Sequence, residues 1–356
     1  MTRAGVKKIS LALQGGGALG AYTWGALDRL LEDERIEIAA ISGSSAGAMC
    51  AVVVAEGLYD GGRESARAKL TQFWRGVAKA GRTNPYRRTP MMAFLSSFTP
   101  SWLQQPFLAQ WADIATRVAS PYDLNPLNLN PLKEVLEELV DFERVRRCKH
   151  VALFIGATNV ETGRIRVFTN PELTADHVMA SACLPQIFQA VEIEGTPYWD
   201  GGFMGNPALF PLFDVEATRD IVIVQVNPIV REGAPRTATD IIGRVNEITF
   251  NASLLRELRA IDFVSRLLQE SRLPEGRYRE MLIHNVSEAQ ALAPLGMGTD
   301  LNTELSFFES LFAAGRAAGE RWLDRHFDDL GARSTVDLRA MFEGDEGPPL
   351  HRGKQG

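Results

Sequence analysis

Twice before residue 56 a short apolar run ends in a glycine-rich turn and passes directly into a helical pattern. Few architectures other than a parallel sheet covered by helices accommodate that repeat. Lys8 to Gln14 reads as a first strand ending in Gly15-Gly16-Gly17; Leu19, Tyr22, Ala26, Leu27 and Leu30 then recur at helical spacing up to Glu32. Ile36 to Ile41 reads as a second strand, ends in a glycine-serine turn and leads into a buried helix from Ala46 to Ala55. Parallel strands need crossover connections of this kind, and a sheet covered on both faces reads as continuous apolar runs. Val151 to Ala157, Ile165 to Phe168 and Ile221 to Val226 are expected to extend the same sheet, which makes this an α/β protein.

The texture changes twice further along. From about 84 to 130, Pro85, Pro90, Pro100, Pro106, Pro121 and Pro126 punctuate short helical pieces, the mark of a helical insertion. Beyond Asn227 the pattern is mainly helical, from about Thr237 to Ser271 and from Glu304 to Asp329, with a strand-like Met281 to Val286 between. These segments are expected to close one side of the sheet. The expected organisation is a main domain over 7–230 that includes the insertion, a helical C-terminal extension over 231–342 packed on it, and a polar tail over 343–356 expected to be disordered.

A net charge of −6 argues against a nucleic-acid partner, which calls for a basic surface. Cys50, Cys148 and Cys183 lie far apart without CxxC spacing, so neither a disulfide framework nor a zinc site is indicated, and a reducing cytoplasm suits them. Lys7 and Lys8 before Ile9 to Leu13 superficially resemble the start of a signal peptide, but the run is short and stops at a glycine loop. No charge-free apolar stretch reaches the ~18 residues of a membrane span, so contact with a membrane is expected to be peripheral.

The chemistry is written in three glycine-bearing blocks. Gly43-Ser44-Ser45-Ala46-Gly47 fits G-x-S-x-G, in which a serine on a tight strand-to-helix turn is presented at a helix N-terminus and the flanking glycines make room for it. Ser45 is the candidate nucleophile, with Gly43 and Gly47 shaping its elbow. Gly15-Gly16-Gly17, also between a strand and a helix, can aim several backbone N–H groups at one point and is the candidate oxyanion hole. A serine needs a proton acceptor, and the five histidines offer little. His150 sits in a basic segment, His326 on a charged helix, His351 in the tail and His284 in an isolated strand; only His177, ahead of a small-residue helix, is a conceivable triad member. A carboxylate is the better base, and Asp200 supplies one, followed by the turn glycines Gly201 and Gly202. To stay ionised it should be held by backbone donors or a helix N-terminus.

Taken together, Gln14 to Gly20, Gly43 to Gly47 and Asp200-Gly201-Gly202 resemble the three signature blocks of the patatin-like phospholipases, in that family's order. The resemblance spans roughly residues 7 to 230 and includes Ala157 to Gly163 and Ala180 to Pro185. It implies a three-layer α/β/α fold with a mainly parallel sheet, a Ser45–Asp200 dyad, an oxyanion hole at Gly15 to Gly17, no metal or cofactor, and hydrolysis of lipid acyl esters. Two departures are visible: Leu19 stands where many members carry Arg or Lys, and Gly205 where an aspartate is frequent.

Other readings compete. Gly15-x-Gly17-x-x-Gly20 also matches the dinucleotide fingerprint, with Glu37 near the place of a ribose-binding acid, which would make the chain an oxidoreductase. A non-catalytic lipid-binding protein is a further alternative. Met91, Met92, Phe94, Leu95, Phe98, Trp102, Leu103, Phe107, Leu108 and Trp111 could form a lid or an acyl groove, or pack as ordinary core. Arg144 to Lys149 could dock on anionic lipid, although a charge cluster is more often a solvated face. The long C-terminal helices leave homo-oligomerisation open.

Overall fold

The computed structural model describes residues 5–83, 120–273, 278–288, 292 and 302–344. Most of the insertion, with its Met and aromatic run, and the tail from 345 lie outside these residues. Among them, eight strands form one sheet: β1 (Lys7–Leu13), β2 (Ile36–Gly43), β3 (Ala152–Asn159), β4 (Ile165–Thr169), β5 (Val191–Ile193), β6 (Thr196–Asp200), β7 (Asp220–Val224) and β8 (Leu282–Val286). Their order is β5-β6-β3-β2-β1-β7-β8, with β4 also paired to β3. The pairs among β3, β2, β1, β7 and β8 are parallel.

Helices α1 (Gly20–Glu32) and α2 (Ala46–Thr83, interrupted at Gly61 and Gly62) follow the first two strands as the repeat predicts. The short α3 (Pro121–Leu124), α4 (Pro131–Leu139), α5 (Phe142–Arg147) and α6 (Ala175–Ser181) come next, then α7 (Ala238–Gln269), α8 (Leu305–His326) and α9 (Leu338–Glu343). Alternation along the strands assigns the two faces. Leu11, Leu13, Val222 and Val224 face the larger core, shared with Leu27 of α1, Val53 of α2 and Phe308 of α8; Ala12, Ile221 and Ile223 face a smaller one with Leu254 and Leu258 of α7. The result is three layers, helix on sheet on helix.

Two expectations need correction. The strand over Ile165 to Phe168 does not extend the parallel sheet: β4 and β6 run antiparallel to β3, and β5 antiparallel to β6. The segments joining β3 to β4 and β5 to β6 are too short for a crossover, and Glu194 and Gly195, both at positive φ, form the two-residue turn a hairpin prefers. The chain beyond Asn227 does not close one side. It supplies β8 to the sheet edge and covers both faces, α7 on one and α8 against α1 on the other. The Lys7–Leu13 run that mimics a signal peptide is a central strand.

Candidate active site

β1 and β2 end side by side, with Leu13 opposite Gly43, so the glycine loop and the serine turn leave the sheet together at its C-terminal edge. Here β1 lies between β2 and β7, where the chain reverses its progress across the sheet, the usual place for a site in an open α/β fold. Ser45 has φ 55°, the left-handed conformation that a non-glycine residue adopts only when its surroundings hold it there. Its N–H donates to Ser181 at the end of α6, 3.1 Å to both the carbonyl and Oγ, and the first amides of α2 start beside it. The glycines on either side are needed for contact. A Cβ on Gly47 would lie 2.3 Å from the Leu13 carbonyl oxygen, and one on Gly43 2.8 Å from the Gly47 backbone.

Asp200 ends β6, and its register opposite Ala157 of β3 carries it to the same edge. Its N–H donates to Cys183 O (2.8 Å) and its carbonyl accepts from Thr158 Oγ1 (2.8 Å). Gly202 N–H donates to Oδ1 at 2.7 Å, whereas Oδ2 is buried and makes no hydrogen bond among the described residues. The backbone support expected from the sequence is therefore a single donor. Burial pushes the Asp200 carboxyl up to about 7, against the opposing pull of the Gly202 N–H and the Ser45 hydroxyl. The Ser45 influence and the unbonded Oδ2 together describe a serine near the carboxyl but short of a full hydrogen bond to Oδ2. Ser45 is 7% exposed and Asp200 0%, so the pair is closed to bulk solvent in this conformation.

The glycine loop is held by a buried amide network that sequence reading did not find. Asn206 accepts the Gly15 N–H at 2.7 Å and returns Nδ2 to Gly15 O at 3.3 Å; Asn227 Nδ2 also donates to Gly15 O at 2.6 Å. Gln14 Oε1 accepts from the N–H groups of Val226 and Asn227, both at 3.0 Å, and its Nε2 donates to Asn206 O and Asn251 Oδ1, both at 3.2 Å. Of the three glycines expected to form an oxyanion hole, Gly15 has its N–H engaged by Asn206 in this structure. Among the described residues, no acceptor engages the N–H of Gly16 or Gly17. The N–H of Ala46, the first residue of α2, has no intrahelical acceptor either, one of the helix-start donors beside the serine. Polar residues at strand ends, Gln14 after β1 and Asn227 after β7, were the available signal.

The competing assignments separate on geometry. A Cβ on Gly15 would lie 2.5 Å from Ser45 Cβ, so the loop is packed against the serine turn. Glu37 lies at the start of β2, the opposite edge of the sheet, ion-paired to Lys8 at 2.7 Å. The dinucleotide reading thereby loses its ribose-binding acid, which lies at the wrong end of β2 from the glycine loop. His177 Nδ1 bonds Thr174 Oγ1 at 2.8 Å and its ring packs on Phe168; among described residues it reaches neither Ser45 nor Asp200. Of the basic run, Arg144 is committed to Glu56 and Asp60, and Arg146 to Glu143 and the Leu173 carbonyl. At Gly205 a Cβ would lie 2.5 Å from Ile165 Cδ1, so the aspartate frequent in the family would not fit without rearrangement.

Near Asp200, Cys183 lines a cavity of about 400 Å³ whose wall mixes the apolar Met179, Phe188, Ala190 and Val191 with the polar Asn128, Asn130, Lys133, Asp176, Gln189 and Glu192. On the same side of the molecule as the dyad turn, where Phe203 packs on Phe250 of α7, the first turns of that helix expose Ile241, Val245 and Ile248. No described helix is long and apolar enough to cross a membrane.

The family model for patatin-like phospholipases matches residues 11–213. No curated protein matches the chain. Among solved structures, VipD from Legionella pneumophila aligns at 18% identity over 96% of this chain and 73% of that one, with a TM-score of 0.43. A chain in the complex of full-length SpcU with full-length ExoU from the type III secretion system of Pseudomonas aeruginosa aligns at 15% identity over 96% and 77%, with a TM-score of 0.25. At such similarity neither speaks to this chain's chemistry.

Proposed function

The chain belongs to the patatin-like phospholipase family, and on that premise we propose that it is a lipid acyl hydrolase in which Ser45 is the nucleophile and Asp200 its base. Ser45 Oγ attacks the acyl carbonyl while Asp200 Oδ2 takes its proton. The oxyanion that forms is met by the Gly16 and Gly17 N–H groups and by Ala46 N–H at the start of α2. Collapse expels the alcohol, which regains the proton from Asp200, and water then releases the acyl group by the same route in reverse. A base whose pKa lies near neutrality both accepts and returns a proton readily at pH 7. What supports this reading is a serine at positive φ together with a buried carboxylate oxygen, Asp200 Oδ2, that makes no hydrogen bond among the described residues, the Ser45 hydroxyl acting on that carboxyl.

The substrate is an ester with an apolar acyl chain; Met179, Phe188, Ala190 and Val191 on the wall of the cavity beside Cys183 are the apolar surface offered to it, next to the polar Asn130, Lys133, Asp176 and Glu192. The exposed stripe of Ile241, Val245 and Ile248 is the surface that meets lipid. Arg144 to Lys149 are not part of that contact, since their leading arginines are spent within the protein.

A fluorophosphonate probe, followed by peptide mass mapping, tests the nucleophile directly. Label on Ser45, absent from Ser45→Ala and slowed in Asp200→Asn, is the expected result, with parallel loss of turnover on chromogenic esters of graded chain length. Labelling at another serine, or turnover retained in both variants, would place the chemistry elsewhere; lipid binding without turnover or labelling would favour a non-catalytic lipid-binding protein.

A further inference from the structure

A second cavity, of about 680 Å³, runs between the edge strand β8 and α8, away from the Ser45 site. Asn285, Ser287 and Glu288 line it from the strand side, and Arg321, Trp322 and Arg325 from the helix. Two of these side chains carry buried polar atoms with no hydrogen bond among the described residues: the donor Trp322 Nε1 and the acceptor Asn285 Oδ1. Buried polar atoms are rarely left unpaired, since each costs about 1–3 kcal/mol. The amide orientation that leaves Oδ1 free is fixed by its neighbours. Gln225 Nε2 donates to Asn227 O at 3.0 Å, so Gln225 Oε1 needs a donor, and Asn285 Nδ2 supplies it at 2.8 Å.

The charge of the groove points the same way. Arg321 is neutralised by Glu288, whereas Arg325 makes no ion pair with a described residue. His326, which also lines the groove, is bonded to Asp329. On the α1 side the buried Tyr22 hydroxyl, which makes no hydrogen bond among the described residues, feels the charges of Glu288 and Arg321. A ligand matching this lining carries negative charge for Arg325, accepts a hydrogen bond from Trp322 Nε1 and donates one to Asn285 Oδ1. We propose that the β8–α8 groove is a binding site for a singly protonated phosphate group, with Arg325, Trp322 and Asn285 as its recognition set.

The site is joined to the glycine loop by hydrogen bonds. Asn285 bonds Gln225, Gln225 bonds the Asn227 carbonyl, and Asn227 Nδ2 bonds Gly15 O. A ligand on Asn285 thus engages the chain of amides that positions the loop beside Ser45. The binding itself requires neither Ser45 nor Asp200, so it stands or falls separately from the hydrolase reading.

The test is titration of the full-length protein with inorganic phosphate by calorimetry, against sulfate at matched ionic strength, for the parent, Arg325→Gln and Trp322→Phe. Sulfate carries no O–H at neutral pH and cannot donate to Asn285 Oδ1. The expected result is saturable phosphate binding, at least about tenfold tighter than sulfate and weakened at least about tenfold in Arg325→Gln, an exposed position where folding is not at issue. Vesicles of phosphatidylcholine with and without phosphatidic acid separate the sources: binding of phosphate alone assigns a soluble ligand, and binding only to the phosphatidic acid vesicles, lost in Arg325→Gln, assigns a lipid headgroup. Equal response to sulfate and phosphate, insensitivity to both substitutions, or no saturable binding to either probe would overturn the proposal.

Discussion

Two aspartates are buried in the same sheet and have opposite fates. Asp200, at the C-terminal edge, has one backbone donor on Oδ1, none on Oδ2 among the described residues, and a pKa pushed up to about 7 by burial. Asp220, at the start of β7, is also pushed up by burial, but His284 Nε2 at 3.0 Å, Gly331 N–H at 2.8 Å and Thr218 Oγ1 at 3.3 Å outweigh that and hold it below the usual carboxylate range. The same residue type in the same kind of environment thus keeps an open proton-accepting oxygen or is tied into the structure according to how many donors reach it. Lone pairs left unused are what make proton transfer available.

The comparison is broken most sharply by exchanging the effects. Ser45→Ala or Asp200→Asn is expected to lower ester turnover by about 10⁴-fold while leaving the thermal midpoint at pH 7 no lower than the parent's. Asp200→Asn with full activity would sink the contrast. Asn206→Ala removes the acceptor of Gly15 N–H and should reduce kcat by about 10²-fold with little change in labelling specificity, since it frees the loop without touching Ser45; steady-state kinetics check this. Asp220→Asn is the inverse case: it should cost about 2 kcal/mol of stability in a denaturant titration, because His284 and Gly331 lose a charged acceptor, and leave kcat near the parent value.

The pH dependence gives the smallest and most specific effect. Asp200 must be ionised to act, so kcat/KM should rise with pH and level off above about 7, falling about tenfold per unit below it. Stability moves the other way at this residue. Its folded pKa lies above the ordinary value of 3.8, so its contribution is fully present below that value and is lost as pH rises to about 7. For Asp220, lowered in the folded state, the contribution is present above the ordinary value and is lost as pH falls through the folded one. Denaturant titrations extended below the ordinary value should therefore show Asp200→Asn gaining on the parent as pH rises from 3.8 to about 7, and Asp220→Asn closing its deficit only as pH falls below 3.8; the same pH window for both variants would remove the distinction between the two carboxylates.

Much of this was legible from local pattern. The strand–glycine–helix repeat gave β1, α1, β2 and the start of α2, because such units depend on residues adjacent in the chain: an apolar run, a turn that only glycine fits and a helical period. Three glycine blocks named Ser45, Asp200 and the loop between Gly15 and Gly17. Missed were the antiparallel pairing of β4 to β6, the entrance of β8 into the sheet, and Asn206 and Asn227 as holders of the loop. Asn206 meets Gly15 across a sequence separation of 191 residues and Asn227 across 212, and no periodicity in a chain records such a meeting.

Sequence by itself determined the α/β class, the order of the reacting blocks and the residue types that can do the chemistry, since these follow from backbone sterics and apolar spacing over a few residues. Only the tertiary structure decided that, among the described residues, Gly15 N–H is engaged while those of Gly16 and Gly17 are not, and that Asp200 rather than Asp220 keeps an unbonded oxygen. Those outcomes depend on how many donors converge on one buried atom, and convergence is fixed by packing between segments far apart in the chain.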